Sequence, residues 1–184
     1  MVVRELAIYD YKNYVENGTV GRRPSVRGII IQNEKIALVH SLKYDYYKFP
    51  GGGIDKGENH ADTLIREVAE ESGLVVKKES IIEYGLVLRK EKGKKEDLFI
   101  QENFYYFCGV EDNMTAQKLD DYEAEEEFVL EWVRPECAIE ANLTHNHGTK
   151  NSLIARHMME REANVLRLLI NEGFFKNSGQ KLFC

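Results

Sequence analysis

Three glutamates within residues 52–74 have the types and spacing to do chemistry with a metal ion. Glu67, Glu70 and Glu71 stand at positions i, i+3 and i+4, which share one face of an α-helix. Neighbouring carboxylates repel one another, and a divalent cation such as Mg²⁺ or Mn²⁺ is the natural means of neutralising them. The alternative is a solvated charged face, which glutamate-rich helices commonly present.

The residues around these glutamates favour the metal site. Residues 52–74 read GGIDKGENHADTLIREVAEESGL. This spacing closely resembles the signature motif of the Nudix hydrolases, and no position inside it departs from the family pattern. The specified positions of that motif are occupied by Gly52, Glu58, Arg66, Glu67, Val68, Glu70, Glu71, Gly73 and Leu74.

The resemblance implies both a fold and a reaction. The fold class is α/β (α+β), a Nudix-type α/β/α sandwich with a mixed sheet and a loop–helix–loop catalytic motif. The reaction of such a MutT-like pyrophosphatase is metal-dependent hydrolysis of a nucleoside diphosphate linked to another moiety. The leading substrate is a nucleoside triphosphate, or a modified one, cleaved to monophosphate and pyrophosphate. The alternatives are ADP-ribose, a dinucleoside polyphosphate, a nucleotide sugar, or a non-hydrolytic module that senses nucleotides.

The resemblance also implies a role for each matching position. Glu67, Glu70, Glu71 and the carbonyl of Gly51 would bind the metal, Mg²⁺ or Mn²⁺. Glu67 is a metal ligand or a base in different members of the family, and Arg66 would orient a glutamate through a bidentate ion pair. Three further positions are expected to be structural: Gly52, Glu58 and Gly73.

Residues outside the motif supply candidates for the remaining roles. Glu126, in the acidic segment 120–127, is the first choice for a catalytic base, followed by Glu123, Glu125 and Glu127; the alternative is a solvated acidic loop. Glu102 interrupts an apolar strand and is a second candidate at the site, unless it faces solvent. The side chains predicted to contact substrate are Tyr47, Arg27, Arg89 and Glu102.

These substrate-binding assignments have structural alternatives. Tyr47 could stack on a base or pack in the core. Arg27 and Arg89 could face a phosphate or simply carry surface charge. The sequence leaves open the role of the loop that contains His145 and His147.

The elements that must position these residues follow from hydrophobic patterning. A helix is predicted from about Asn59 to Ser72, with an apolar stripe on one face and Gly73 as its stop. Short aromatic and aliphatic runs before and after it predict strands. A long amphipathic helix is predicted at about 150–171. We expect a single domain over residues 1–176, followed by a flexible tail at 177–184.

Charge restricts the partners of the chain. Its 184 residues include 25 Lys and Arg against 31 Asp and Glu, for a net charge of −6. An acidic surface is not drawn to nucleic acid backbones or anionic membranes over long range. We therefore expect a small-molecule nucleotide substrate, no nucleic acid polymer and no membrane partner, with the protein a monomer or homodimer.

The sequence has neither the pattern of a secretory signal nor that of a membrane span, and this predicts a cytoplasmic location. The first 18 residues carry charges where a secretory signal needs an apolar run, and no stretch reaches the roughly 18 apolar residues of a membrane span. The three cysteines are far apart and lack the spacing of a metal site. We therefore expect reduced thiols in a cytoplasmic protein.

Overall fold

A computed structural model describes residues 2–150 and 152–175, apart from the side chains of residues 153 and 154. Two short 3₁₀ segments, Lys78–Ser80 and Gly148–Lys150, accompany the main elements. In chain order these elements are β1 Glu5–Asp10, β2 Val20–Ile29, β3 Ile31–Gln32, β4 Lys35–Ser41, β5 Tyr46–Lys48, α1 His60–Ser72, β6 Leu74–Val76, β7 Ile82–Glu91, β8 Leu98–Phe107, β9 Val110–Met114, α2 Asp121–Glu125, β10 Phe128–Val133, α3 Pro135–Thr144 and α4 Leu153–Asn171.

The strands form two larger sheets and a small one. The first has the order β1-β7-β8-β2 and is mixed, since β1 pairs in parallel with β7, β7 runs antiparallel to β8, and β8 pairs in parallel with β2. The second has the order β10-β4-β3, with β5 also paired to β4, and is antiparallel. Strands β6 and β9 form a two-stranded ribbon.

Helices cover both sides of this layer of strands. On one side, Val165, Leu166 and Leu169 of α4 and Ala138 of α3 pack against sheet residues such as Tyr105. On the other side, the apolar stripe of α1 forms a second core with the strands, through Leu64 and Val68. This arrangement confirms the predicted α/β/α sandwich with a mixed sheet.

A glycine-rich loop connects β5 to α1 and runs alongside β2. Backbone hydrogen bonds join the two, from the amide of Val26 to the carbonyl of Gly52 (2.9 Å) and from the amide of Gly28 to the carbonyl of Pro50 (2.8 Å). Gly51 has φ +139°, and a Cβ atom there would lie 2.2 Å from the carbonyl oxygen of Val26. Gly51 is therefore needed for this close approach of two backbones.

The predicted helices agree with α1 and α4, whose bounds are given above. Cys108 is a buried free thiol, in agreement with the expectation of reduced cysteines at that position. In the described part of the chain, none of the helices combines the length and the hydropathy of a membrane span. The predicted tail at 177–184 lies outside the described residues, and the single domain over 1–176 stays a prediction.

We expect Leu64→Ala to destabilise the protein by about 2–5 kcal/mol, because it leaves a cavity beneath α1. Leu64 is fully buried, whereas Leu42, in the turn after β4, is 50% exposed. Leu42→Ala is therefore the matched control and should cost less than about 1 kcal/mol. Urea unfolding of both variants measures the difference, and equal losses of stability would contradict the assignment of Leu64 to the core.

Candidate active site

Helix α1 is closed at both ends by local signals in the sequence. Its N-cap is Asn59, whose side chain accepts a hydrogen bond from the amide of Asp62 at 2.9 Å. Its C-cap is Gly73, in the left-handed region at φ +74°, and a Cβ atom there would lie 2.5 Å from the carbonyl oxygen of Thr115. Both capping residues belong to the motif. The motif itself therefore fixes where the helix that carries the three glutamates begins and ends.

Arg66 connects three of the motif carboxylates. Its guanidinium donates to both oxygens of Glu58, from Nε at 3.0 Å and from Nη2 at 2.7 Å. Its Nη1 donates to Glu67 at 2.7 Å and to Glu70 at 3.1 Å. Arg66 and Glu58 therefore form the bidentate ion pair that the motif predicts, and the same cation orients Glu67 and Glu70.

Glu71 is the buried member of the cluster, with 2% of its surface exposed. One carboxylate oxygen accepts a hydrogen bond from Lys48 Nζ at 2.6 Å, and the other accepts one from the backbone amide of Gly51 at 2.9 Å. These contacts join the helix to β5 and to the glycine loop. Loss of hydration raises the pKa of Glu71 to about 7, although Lys48 and Arg27 oppose the shift.

The pKa values of Glu67 and Glu58 are shifted in opposite directions. Burial raises the pKa of Glu67, and its contact with Arg66 limits the rise. For Glu58 the hydrogen bonds outweigh the effect of burial, because those from Arg66 and Thr63 lower its pKa to about 2. Glu58 is therefore held in its charged form, as expected of a structural ion-pair partner.

Residues 115–118 complete the C-terminal end of α1, a contribution that the sequence analysis missed. The amide of Thr115 donates to the carbonyl of Gly73 and the amide of Lys118 donates to the carbonyl of Glu70, both at 2.8 Å. The side chain of Gln117 donates to the carbonyl of Glu71. A segment distant in sequence thus satisfies carbonyl groups that a helix end leaves without partners. No motif marks this segment in the sequence.

The motif glutamates face a cleft of about 480 Å³, which we call the acidic cleft. Glu67, Glu70 and Glu71 line it together with Arg66 and, from the acidic segment, Glu123. Glu123 accepts hydrogen bonds from the backbone amide of Asp120 (2.9 Å) and the hydroxyl of Tyr122 (2.8 Å). Of the glutamates proposed outside the motif, Glu123 lines this cleft, and Asp120 of the same acidic segment lines it as well.

A second cleft of about 500 Å³ adjoins the acidic cleft at the glycine loop. Gly52, Gly53, Arg23 and Tyr122 line both clefts. We call it the basic cleft, because its cationic side chains are Arg23, Arg27, Lys48, Lys150 and Arg161. It also presents aromatic rings from Tyr46, Tyr122 and Phe128. At the glycine loop, a carboxylate-lined cleft therefore adjoins one suited to phosphate groups and a base.

The structure places two of the four predicted substrate residues on these clefts or next to them. Arg27 lines the basic cleft, and its guanidinium donates to the carbonyl of Gly51, which was predicted to bind metal. Arg89 lines a third cleft, which shares Arg23 and Gln101 with the basic cleft.

Tyr47 and Glu102 do not reach the clefts, because side chains alternate between the two faces of a strand. Tyr47 packs in the core, stacks on His40 and donates to Glu131 at 2.9 Å, whereas its neighbour Tyr46 lines the basic cleft. Glu102 binds Arg22 at 3.3 Å, whereas its neighbour Gln101 lines the basic cleft. In both cases the prediction was one residue away from the side chain that faces the cleft.

Glu126 and the histidine loop also have partners elsewhere. Glu126 is 6% exposed, accepts a hydrogen bond from the Tyr46 hydroxyl at 2.6 Å and pairs with Lys150, so it supports the wall of the basic cleft. Its role as base stays a prediction. His145 pairs with Asp45 at 2.7 Å, and His147 is buried against the carbonyl of Tyr44.

The donor set of the acidic cleft suits a hard divalent cation, since it consists of carboxylate oxygens. Among the described residues, however, no three acidic, His or Cys side chains form a ready-made metal group. The contacts above give the reason, because Arg66 binds Glu67 and Glu70 while Lys48 binds Glu71. A metal ion would therefore compete with cations that already neutralise these carboxylates.

Comparison with known proteins agrees with this geometry. The model of the NUDIX domain matches residues 21–155, which include the glycine loop, α1 and the acidic segment. The chain belongs to the Nudix hydrolase family. The fold is shared with a NUDIX hydrolase from Nitrosomonas europaea (TM-score 0.54, 15% identity), a match that covers 89% of this chain and 98% of that one. It is also shared with a MutT protein from Bacillus halodurans (TM-score 0.51, 19% identity, covering 76% and 84%).

Two curated relatives match over shorter segments. An RNA pyrophosphohydrolase from Ruthia magnifica subsp. Calyptogena magnifica is 45% identical over 64 residues, which are 34% of this chain and 35% of the relative. An m7GpppN-mRNA hydrolase from Saccharomyces cerevisiae is 40% identical over 78 residues, which are 41% of this chain and 8% of that protein. The Nudix chain described here thus spans about a third of the first relative and a small part of the second.

We expect Gly52→Ala to disturb the predicted metal site while leaving the fold intact. A Cβ atom at Gly52 would lie 2.1 Å from Oε2 of Glu67, and this flexible carboxylate would have to move. Affinity for Mg²⁺ or Mn²⁺, measured by calorimetry, should fall by about 10-fold or more. Gly53→Ala is the matched control, because its nearest neighbour, Arg23 Nε, would be 3.7 Å away. Equal metal affinities in the two variants would count against Glu67 as a ligand.

The ion pair of Glu58 predicts a pH-dependent contribution to stability. Because its pKa is lowered from 4.5 to about 2, the pair stabilises the fold above pH 4.5 and loses this effect as pH falls through 2. The difference in Tm between the wild type and Glu58→Gln should be largest above pH 4.5 and should shrink towards pH 2. The control Glu79→Gln, at an exposed position, should show a small difference at every pH. A Glu58→Gln difference independent of pH would contradict the ion pair.

Proposed function

We propose that the chain hydrolyses a phosphoanhydride bond in a nucleotide whose diphosphate is linked to another group, using Mg²⁺ or Mn²⁺. Nudix hydrolases in general use divalent metal ions. The observation that carries the proposal is the junction of the two clefts at Gly52 and Gly53. Carboxylates that would bind a metal lie there beside cations that would bind phosphate groups, and phosphoryl transfer requires this combination.

The residues of the chain have distinct roles in this mechanism. Glu67, Glu70 and Glu71 would hold the metal, and Arg66 positions the first two of these carboxylates. The bound metal would polarise phosphoryl oxygens and acidify the attacking water. Arg23 and Arg27 line the basic cleft and would orient the phosphate groups there through bidentate hydrogen bonds.

The aromatic side chains and the acidic segment would complete the site. Tyr46, Tyr122 and Phe128 present rings to the basic cleft, on which a nucleobase could stack. For the carboxylate that accepts the proton of the water, Glu126 is the candidate from the sequence. Glu123 is the alternative that the geometry supports, because it lines the acidic cleft.

For the substrate we propose a nucleotide with a 5′ triphosphate, cleaved to a monophosphate and pyrophosphate. A free or modified nucleoside triphosphate is the simplest member of this class. The 5′ end of an RNA is the second candidate, and it is favoured by the relatives named RNA pyrophosphohydrolase and m7GpppN-mRNA hydrolase. ADP-ribose, dinucleoside polyphosphates and nucleotide sugars are the alternatives within the reaction class. We also propose a cytoplasmic location and a monomer or homodimer.

The decisive test compares Glu70→Gln with Glu140→Gln. The side chain of Glu70 is 36% exposed and Glu140 is an exposed residue of α3, so both variants should fold. With Mg²⁺, the wild type and Glu140→Gln should release phosphate or pyrophosphate from a member of a nucleotide panel, whereas Glu70→Gln should be more than about 100-fold slower. A chelator should abolish the activity, and added Mg²⁺ should restore it.

The same experiment includes the outcomes that would reject the proposal. Equal rates for Glu70→Gln and Glu140→Gln would show that the carboxylate face is not catalytic. Nucleotide binding by calorimetry without turnover of any panel member would favour the sensing module instead.

A further inference from the structure

A third cleft continues from the basic cleft along the hairpin between β7 and β8. It has a volume of about 460 Å³, and it shares Arg23 and Gln101 with the basic cleft. We call it the hairpin groove, and the residues that distinguish it are Arg89, Lys92, Lys94, Lys95 and Phe99. Because Arg23 also lines the acidic cleft, the three clefts meet along one surface.

Strand register explains why the groove is continuous with the site. Arg23 of β2 pairs with Gln101 of β8, and Gln101 pairs with Arg89 of β7. Residues paired across neighbouring strands point to the same face of a sheet. The two arginines therefore stand about 10 Å apart across two strand spacings, with an amide side chain between them. This polar row leads from the catalytic side of the sheet towards the lysines of the hairpin.

The charge of the groove contrasts with that of the chain. Its lining includes five Lys or Arg side chains but only two carboxylates, Glu91 and Glu96, whereas the chain as a whole carries a net charge of −6. A local cluster of one sign inside a cleft attracts an oppositely charged ligand even when the net charge of the protein opposes it. The groove is therefore suited to an anion.

Arg89 and Phe99 add features that a solvated lysine loop would not need. The Arg89 side chain is only 12% exposed, and Glu91 is 3.4 Å from its Nη2. Its Nε is buried and has no hydrogen-bond partner among the described residues, although buried donors are normally paired. Phe99 contributes a ring to the same lining, and aromatic rings are the usual surface on which unpaired bases stack.

We propose that the hairpin groove binds the backbone phosphates of single-stranded RNA whose 5′ triphosphate lies in the acidic and basic clefts. This inference rests on the proposed function. A free nucleoside triphosphate or a dinucleoside polyphosphate carries its phosphates in one continuous chain, which leaves the groove unfilled. A single-stranded oligonucleotide carries further phosphates at regular intervals, together with unpaired bases. The cations of the groove can bind the phosphates, and its aromatic ring can stack on a base. The inference departs from the sequence-based expectation of no nucleic acid polymer, which was drawn from the net charge alone.

The test separates binding in the groove from hydrolysis. The probe is a single-stranded RNA hexamer with a 5′ monophosphate, which has no anhydride bond to cleave, and binding is measured by fluorescence anisotropy over a range of salt concentrations. The variant Lys92→Gln/Lys94→Gln should bind the probe about 10-fold more weakly than the wild type. Its plot of log affinity against log salt should be shallower by about 1.4, at about 0.7 for each lost phosphate contact. Lys35→Gln/Arg167→Gln removes two exposed charges that lie outside the motif and do not line the three clefts, and it should bind as the wild type does.

The second measurement compares the rates at which two substrates are hydrolysed. The ratio of kcat/KM for a 5′-triphosphorylated hexamer to kcat/KM for a free nucleoside triphosphate should fall about 10-fold in Lys92→Gln/Lys94→Gln, mainly through KM. Equal affinities and ratios in this variant and the control would overturn the inference and leave the hairpin a solvated lysine loop. If no triphosphate is hydrolysed but binding of the hexamer still depends on Lys92 and Lys94, the proposed function fails and the groove assignment stands.

Discussion

The buried carboxylate of Glu71 holds the site together. It accepts hydrogen bonds from Lys48 of β5 and from the amide of Gly51, and so ties α1 to the strand and to the loop that precede it. A buried carboxylate is stable only with such partners, since its desolvation is costly. Because this carboxylate needs hydrogen-bond partners, the helix that lines the acidic cleft is held against the strand and the loop that line the basic cleft.

Ion pairs balance the charges of the glutamates in the candidate site. Arg66 neutralises the exposed side of the glutamate face and Lys48 neutralises the buried side, which reduces the repulsion between the three carboxylates. The same contacts hold the carboxylates towards the cleft in fixed positions. The Nudix motif is therefore a folding unit as well as a metal-binding candidate, because its arginine and its first glutamate, Glu58, stabilise the arrangement directly.

Strand geometry extends this site across the sheet. Arg23, Ser25 and Arg27 alternate along β2 and all face the basic cleft, while Arg22 points to the opposite face and binds Glu102. Through Gln101 the same face continues to Arg89 on β7. One row of paired residues thereby connects the glycine loop to the lysine-rich hairpin. The surface available to a substrate is longer than the motif alone would indicate.

The sequence by itself determined the family, the fold class, the limits of α1 and the roles available to the motif residues, because these depend on spacing along one helix and on glycines within one loop. It did not determine which side chains of the flanking strands reach the clefts. Tyr46 and Gln101 do, rather than Tyr47 and Glu102, because a shift of one residue reverses the face of a strand. The capping of α1 by residues 115–118 and the approach of Glu123 were likewise decided only by tertiary contacts between segments distant in the chain.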